Sequence, residues 1–492
     1  MRDILSLLPL EKFEICKKTG EIFARHSERV WLVGGAVRDL WFGKAKEMDL
    51  DFVTTACSAD IRKIMRRPAS AIFDKSVSKG YGTQGIILKN GAEIEITPLR
   101  KVQDLKLPAD ADPFTAPLIA DLMSRDFSIN AVAIDVTPDG FGAVADPSGG
   151  IADVHNRILR TPGPPHAILT DDPVRAIRAV RFAALFSLDI EPRTRGAIIH
   201  FATTSPNLIR AVSGERTRLE LFKILAAPSP SRAVRLMDDL VILPLILPEL
   251  AALKGVEPEP GYRHKDLFEH TLGALDRASE LRRPAPQPAF MLAVLLHDAG
   301  KPAARRMADG RCTFTGHEKA GSEIAEAAAR RLRLSLDEIR RVAALVRKHH
   351  RLHQYTPEWS DAAVRRALHD LGELYDDAIV FSMADATGQD PERRRRREEH
   401  LADFARRVES LDKERVLKPK PPIDGNAIME ILGIKPGPSG GGVVVGKAVK
   451  HLTDMVVSGE LDADDEAAAR RIVANREWER EGDAKNPSGA YN

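Results

Sequence analysis

Three cysteines in 492 residues are too few and too scattered to staple a fold. Cys16, Cys57 and Cys312 form neither a disulfide framework nor a zinc-type spacing, and they fit a reducing compartment. The chain also lacks a run of about 18 apolar residues, so no segment reads as a membrane span. Its first residues, MRDILSLLPLEKFEICKKTG, carry too much charge for a secretory signal. Together these absences predict a cytoplasmic protein with no membrane partner. Net charge is nearly absent as well, at +2, but it is unevenly spread. Between Arg157 and Lys223 there are 11 Lys and Arg against 6 Asp and Glu, enough for a local surface that attracts polyanions.

What is present is ordinary globular composition, 43% hydrophobic and 29% charged, in a chain long enough for about two to four domains. Residues 1 to about 28 read as one helix, with Ile4, Leu7, Leu8, Phe13 and Ile15 at helical spacing. From 30 to 160 strand-like runs dominate (VWLVGG, MDLDFVTT, TQGIILK, AEIEITPL and INAVAIDV), interrupted by a helical pattern at 59–65. From Asp171 onward the strand signals vanish and helices take over. No internal repeat is visible. Proline-rich breaks at 161–166, 282–288 and 417–425 are the expected boundaries. The predicted class is α+β: a mixed-sheet head over 1–160, a helical neck over 161–255, a further helical domain over 256–410 and a helical tail over 411–492. The charge run ERRRRREEH at 392–400 reads as a solvated helix face.

The stretch LVGGAVRDLWFGKAKEMDLDF carries chemistry. A buried strand ends in a glycine pair that lets backbone approach a bound group, and AVRDL then starts a helix with free amides and Arg38 facing phosphate oxygens. Asp49 and Asp51 alternate on the next strand and project to one face. Two such carboxylates repel each other unless a divalent cation lies between them, which is the arrangement nucleotidyl transfer needs. Taken alone, so short a motif more often marks two surface aspartates on a flexible loop.

Its surroundings reverse that balance. The blocks LVGGAVRDLWFG, MDLDFVTT, YGTQGIIL, EITPLR, SRDFSINAVAID, DPSGGIADVHNRILRT, DDPVRAIRAVRFAA and SGERTRLELFKIL, in this order, resemble the class II tRNA nucleotidyltransferase and bacterial poly(A) polymerase superfamily from residue 30 to about 225. The resemblance implies that Asp49 and Asp51 hold catalytic Mg²⁺ and that Gly35 and Arg38 contact the triphosphate. It implies that Arg125 and Asp126 read the ribose. It further implies that Asp172 and Arg175, one helical turn apart, read the base edge, with Arg178 and Arg181 reaching the triphosphate. Three positions depart from the family pattern. Ser124 stands where an arginine is usual, Asp171 replaces a glutamate, and 101–118 lacks the tyrosine and paired arginines of the loop associated with adding the final A.

Downstream, FEHTL, LLHDAGK, FTGHEKAG, VRKHHRLH and SMADATG resemble the HD superfamily of metal-dependent phosphohydrolases over about 264–390. That resemblance implies ligands His270, His297, Asp298 and Asp385 for a first metal, with His317 and His349 extending the set toward a second. The donor set suits Mn, Ni, Co, Fe or Mg. Lys301 would meet a phosphate, while His350 and His353 fit packing or surface roles equally well. The segment from 422 to 452 resembles the family's tRNA-binding tail, with SGGGVVV an expanded glycine turn.

The expectation is an enzyme that adds CCA to the tRNA acceptor arm from CTP and ATP, in an oligomeric state the sequence leaves open. Alternatives are a poly(A) polymerase, a partial CC- or A-adding enzyme, or an HD phosphohydrolase with an RNA-binding head. SVSKGYGTQGIIL lacks the basic GRRF-type segment of the poly(A) polymerase branch.

Overall fold

The computed structural model describes residues 4–43, 48–75, 82–99, 114–257, 266–282, 287–308, 311–386, 391–434 and 442–475. The chain forms two compact units, Met1–Pro248 and Glu249–Asn492.

The first unit is built on a seven-stranded mixed sheet: β1 Val30–Val33, β2 Leu50–Thr54, β3 Ala69–Asp74, β4 Gln84–Leu88, β5 Glu93–Pro98, β6 Ala133–Asp135 and β7 Val144–Ala145. Their order is β3-β4-β5-β2-β1-β6-β7. Only β2 and β5 run parallel, with Asp51 opposite Glu95; the other neighbours are antiparallel. Strand alternation sorts the side chains. Val30, Leu32, Leu50, Phe52, Ile94, Ile96 and Ile134 fill one face, packed with α1 (Leu10–Ala24), α2 (Gly35–Trp41) and α3 (Ser58–Met65). Trp31, Val33 and Val53 point to the other face, where Leu118 and Leu122 of α4 (Thr115–Met123) cover them. Asp51 lies between Leu50 and Phe52 and so shares this second face. The unit continues through α5 (Gly150–Asn156), α6 (Pro165–Asp171) and α7 (Val174–Phe186) into further helices, including Gly214–Leu225.

The second unit is almost wholly helical. The helix Pro288–Leu296 is apolar all round and buried from Phe290 to Leu296, as a central core helix must be. Leu267–Leu281, His317–Arg331, Leu336–Lys348 and Tyr375–Asp385 surround it, and Tyr375–Asp385 continues toward Pro391–Glu409. Ser335 and Glu338 form a capping box that fixes the start of Leu336–Lys348. The helices Gly425–Leu432, Gly442–Ser458 and Glu466–Ala474 pack around their own small core of Ile428, Leu452 and Val473.

Several expectations are corrected. The opening helix is broken: a 3-10 turn, Ile4–Leu7, precedes α1, because Pro9 starts a helix readily but cannot continue one. Strands do occur after Asp171: Asp189–Ile190 pairs with Ile158–Leu159, and Arg306–Ala308 pairs with Arg311–Thr313. Pro165 and Pro288 sit in first helical turns, and the two compact units part at Pro248. In the segment 101–118, residues 101–113 lie outside the described residues, and Thr115–Leu118 begin α4 rather than a loop. In SGGGVVV, Gly442–Val445 form the first turn of a helix. Among the described residues, no helix is long and apolar enough to cross a membrane.

Candidate functional site

A cleft of about 550 Å³ in the first unit is lined by Gly34, Gly35, Arg38, Asp51, Glu95, Arg125, Asp126, Asp172, Arg175, Arg178, Arg181 and Arg216, among others. The strand-to-helix corner forms its floor. Gly34 has a φ of 71°, and a Cβ there would stand 3.3 Å from the Arg125 guanidinium and 3.8 Å from Asp51 Oδ2. A side chain at Gly34 would therefore crowd the corner as well as strain it.

Carboxylates crowd one wall. Burial pushes the Asp51 carboxyl up to about 7, with the facing Glu95 next in effect and Asp49 adding to it, while Arg125 and Lys75 pull the other way. Asp49 is exposed, just before β2 begins. Glu95 is gripped by Lys75 Nζ at 2.5 Å, which also reaches Glu93 at 2.9 Å. A carboxylate whose charge is this costly fits a divalent cation at Asp51; Asp49 is not among the residues lining the cleft. Glu95 was not singled out from sequence, although the alternation in AEIEITPL places it on the same face as Glu93 and Thr97.

Cations crowd the opposite wall, and most are already tied. Arg38 donates to Asn130 Oδ1 at 2.8 Å and to Asp39 at 2.9 Å. Its guanidinium lies over Phe182 and Phe186. Arg125 is pinned to Asp121 by two bonds of 3.0 and 3.2 Å. Asp126 is buried; it accepts from the Phe127 amide, from Asn130, and from Arg178 at 2.6 and 2.8 Å. Burial alone would raise its pKa, but the Arg178 charge and these bonds hold it well below the usual carboxylate range. Arg178 also reaches Glu220 at 3.2 Å, and Glu220 takes Arg181 at 2.5 Å.

The base-reading pair expected from the sequence is present but differently disposed. Asp172 does not share a helix with Arg175: it ends α6 in an extended conformation, and α7 starts two residues later. Both Asp172 oxygens accept the fork of Arg216, at 2.7 and 2.9 Å. Arg175 is buried and donates to the Ile168 and Ser124 carbonyls, each at 3.0 Å, with Asp171 at 3.1 Å. The departure at Asp171 thus helps to hold Arg175 through its carboxylate, whereas Ser124 offers only the backbone carbonyl that any residue would. Arg216 and Glu220 lie one turn apart on Gly214–Leu225, inside the block SGERTRLEL. Nothing in the sequence pattern points to their pairing with Asp172 and Arg178.

The second unit gathers a different constellation. Histidine and carboxylate atoms within 4.8 Å of one another form the groups His270, His297 and Asp385; His317, His349 and His350; and His350, His353 and Asp385. Asp298 is sealed beneath them, 2.8 Å from Lys301 Nζ and 3.3 Å from His297 Nε2. Lys301 therefore faces a carboxylate. Three rings are set by the same local device. Nδ1 of His297, His317 and His349 lies 2.7–2.9 Å from the carbonyl three residues earlier. Donation there leaves each Nε2 lone pair directed inward. His297 Nε2 and Asp298 Oδ1 are buried with no hydrogen-bond partner. Burial opposes charge on His297, yet Asp298 and Asp385 push its pKa up to about 10. Orphaned donor atoms in a field that favours a cation fit a divalent metal. His350 and His353, undecided from sequence, both join the cluster.

The family model described as "Poly A polymerase head domain" matches residues 30–160, "Probable RNA and SrmB- binding site of polymerase A" matches 187–254, and "HD domain" matches 267–390. The A-adding tRNA nucleotidyltransferase of Deinococcus radiodurans is 32% identical over 89% of this chain and 94% of its own length. The CC-adding tRNA nucleotidyltransferase of Thermus thermophilus is 30% identical over 89% and 92%. In fold, the Bacillus stearothermophilus CCA-adding enzyme in complex with CTP aligns over 96% of this chain and 99% of its own, at a TM-score of 0.64 and 23% identity.

Proposed function

The chain belongs to the tRNA nucleotidyltransferase family, and from that premise we propose that it adds CCA to tRNA 3′ ends from CTP and ATP. The observation that carries this reading is one cleft with a carboxylate wall and an arginine wall. In this reading the terminal tRNA hydroxyl attacks the nucleotide α-phosphate and pyrophosphate leaves. Mg²⁺ held by Asp49 and Asp51 would activate the hydroxyl and neutralise the leaving charge. Arg38 and Gly35 would hold the triphosphate. Arg125 and Asp126 would position the ribose, and Asp172 and Arg175 would select the base. The acceptor arm would be gripped by the neck at 161–255 and the tail at 411–492.

The histidine–aspartate cluster supports a second activity. A metal bound there would supply hydroxide near neutral pH for phosphoester hydrolysis. His297, His317 and His349 would hold it through Nε2, with Asp298, Asp385 and His270 completing the set.

Two full-length relatives bear the names A-adding and CC-adding, which favours partial addition as the competing reading. Incubating the protein and Mg²⁺ with tRNA ending before CCA, or after CC, separates the two. CTP alone, ATP alone and both are supplied, and the ends are sequenced. Complete CCA on the first substrate supports the proposal. C without A, or A only after CC, replaces it with partial addition, and long A tracts replace it with a poly(A) polymerase.

A further inference from the structure

One row of the sheet runs from the carboxylate wall of the cleft to an exposed aromatic ring. Asp51 stands opposite Glu95, Glu95 opposite Gly85, and Gly85 opposite Phe73. Residues directly opposite one another share a face, so the row crosses β2, β5, β4 and β3 on one side of the sheet. A Cβ at Gly85 would stand 2.5 Å from Phe73 Cε2 and 2.6 Å from its Cζ. The ring therefore extends from the edge strand across the glycine, in the direction of Glu95. Strands about 4.8 Å apart put Gly85 about 10 Å from Asp51. A single nucleotide whose hydroxyl sits at the carboxylates reaches that far.

Phe73 stands where packing alone gives no reason for a large apolar ring. It is 37% exposed on the edge strand β3 and joins neither core, whereas its neighbour Ile72 packs into the main one. An exposed apolar edge is a liability that a charged side chain would remove. Beside the row the same face is polar. Thr83 and Thr97 line the cleft, with their hydroxyls 3.0 Å apart.

We propose that the Phe73 ring is a stacking platform for the base of the tRNA's terminal nucleotide, holding its 3′ hydroxyl toward Asp51. The inference rests on the nucleotidyl-transfer reading of the cleft and names the part of the sheet that receives the growing end. A ring suits this task because the terminal base changes as the end grows. Every base has a π-face, so stacking accepts any of them, whereas hydrogen bonds to one base edge would not. The Thr83 and Thr97 hydroxyls, each able to donate and accept, suit the sugar of the same nucleotide.

The full chain carrying Phe73→Leu tests this on the tRNA end that the wild type extends fastest, bearing either its normal terminal base or an abasic sugar there. On the normal end the KM for tRNA should rise about tenfold while kcat holds, because the lost contact is made equally before and during reaction. On the abasic end the two proteins should share one KM. Phe73→Trp should restore the wild-type KM on the normal end. A ring that serves only to cover Gly85 would give equal losses on both ends. That result overturns the proposal, as does an unchanged KM on the normal end. A second measurement needs no catalysis. A terminal 2-aminopurine loses fluorescence when it stacks, so binding to wild type or Phe73→Trp should quench it and binding to Phe73→Leu should not. Equal quenching by wild type and Phe73→Leu overturns the platform. If the wild type extends no tRNA with any nucleotide, the nucleotidyl-transfer reading falls, and the quenching alone judges the ring.

Discussion

Replacing Arg178 by Met should cost stability as well as catalysis, and the structure sets the size of the cost. Arg178 meets Asp126 through two bonds of 2.6 and 2.8 Å and Glu220 through a third of 3.2 Å. The Asp126 side chain is 9% exposed and that of Arg178 31%, so the pair is screened from one side only. Unit charges about 4 Å apart interact by roughly 4 kcal/mol at the effective dielectric of a protein edge. Removing one partner of a buried pair typically costs about 3–5 kcal/mol, because the other charge is left uncompensated. Here the loss belongs near the lower end. Asp126 keeps its bonds from the Phe127 amide and Asn130, and Glu220 keeps Arg181. About 3 kcal/mol is expected, a fall of roughly 6–12 °C in the melting temperature of the first unit.

The pH dependence follows from Asp126. Its carboxyl is held well below the usual range, burial opposing and Arg178 prevailing. A depressed native pKa contributes stability that is complete above the unfolded carboxyl range near about pH 4 and is lost progressively as pH falls from there toward the native pKa. The gap between wild type and Arg178→Met should be full near about pH 8 and narrow as pH falls toward about 3, beginning where the buried, uncompensated Asp126 of the variant takes up a proton. Calorimetry of both proteins across that range, with Asp126→Asn added to close a double-mutant cycle, gives the measurement. A stability loss under about 1 kcal/mol, accompanied by weaker nucleotide binding, would refute the reasoning. Arg178 would then be a phosphate ligand whose bond to Asp126 is incidental.

Three further outcomes are expected. Asp49→Ala or Asp51→Ala should abolish incorporation of both C and A while leaving tRNA binding largely intact, measured by primer extension beside filter binding. Arg216→Ala strips Asp172 of its fork and should raise misincorporation of UTP or GTP, by a discrimination loss of about 1–3 kcal/mol read from competing-nucleotide kinetics. His297→Ala with Asp298→Ala should remove bound transition metal, read by elemental analysis, and cyclic phosphodiester hydrolysis with it; CTP incorporation should persist at near wild-type rate.

The sheet was legible because its rule is local. In VWLV and LDFVT each residue's face follows from counting by two, and the structure places Leu50 and Phe52 in one core and Val53 in the other. The same count placed Asp51 away from the main core. It would have flagged Glu95 as well, but only once β5 was known to lie beside β2, a pairing between strands some forty residues apart. The break at Pro9 was also readable, since a proline there can start a helix but not continue one. The short strands at Asp189 and Arg306 were not, because pairs of two or three residues leave no periodicity to detect.

The two candidate centres differ in what sequence can reveal, for a physical reason. At the histidine cluster the decisive geometry is local to each ligand: a ring nitrogen facing the carbonyl three residues back fixes the inward tautomer at His297, His317 and His349 alike. The motifs therefore name most of the side chains that the structure brings together, His350 and His353 of VRKHHRLH among them. In the nucleotide cleft the decisive geometry is long-range. Arg178 and Arg181 read as a stripe aimed at phosphate until Glu220, some forty residues on, takes both. Asp172 reads as a base acceptor until Arg216 covers both its oxygens. A guanidinium committed to a buried carboxylate carries less net field toward a triphosphate than a free one. The helix Gly214–Leu225 accordingly sets the disposition of Asp172, Arg178 and Arg181 through Arg216 and Glu220.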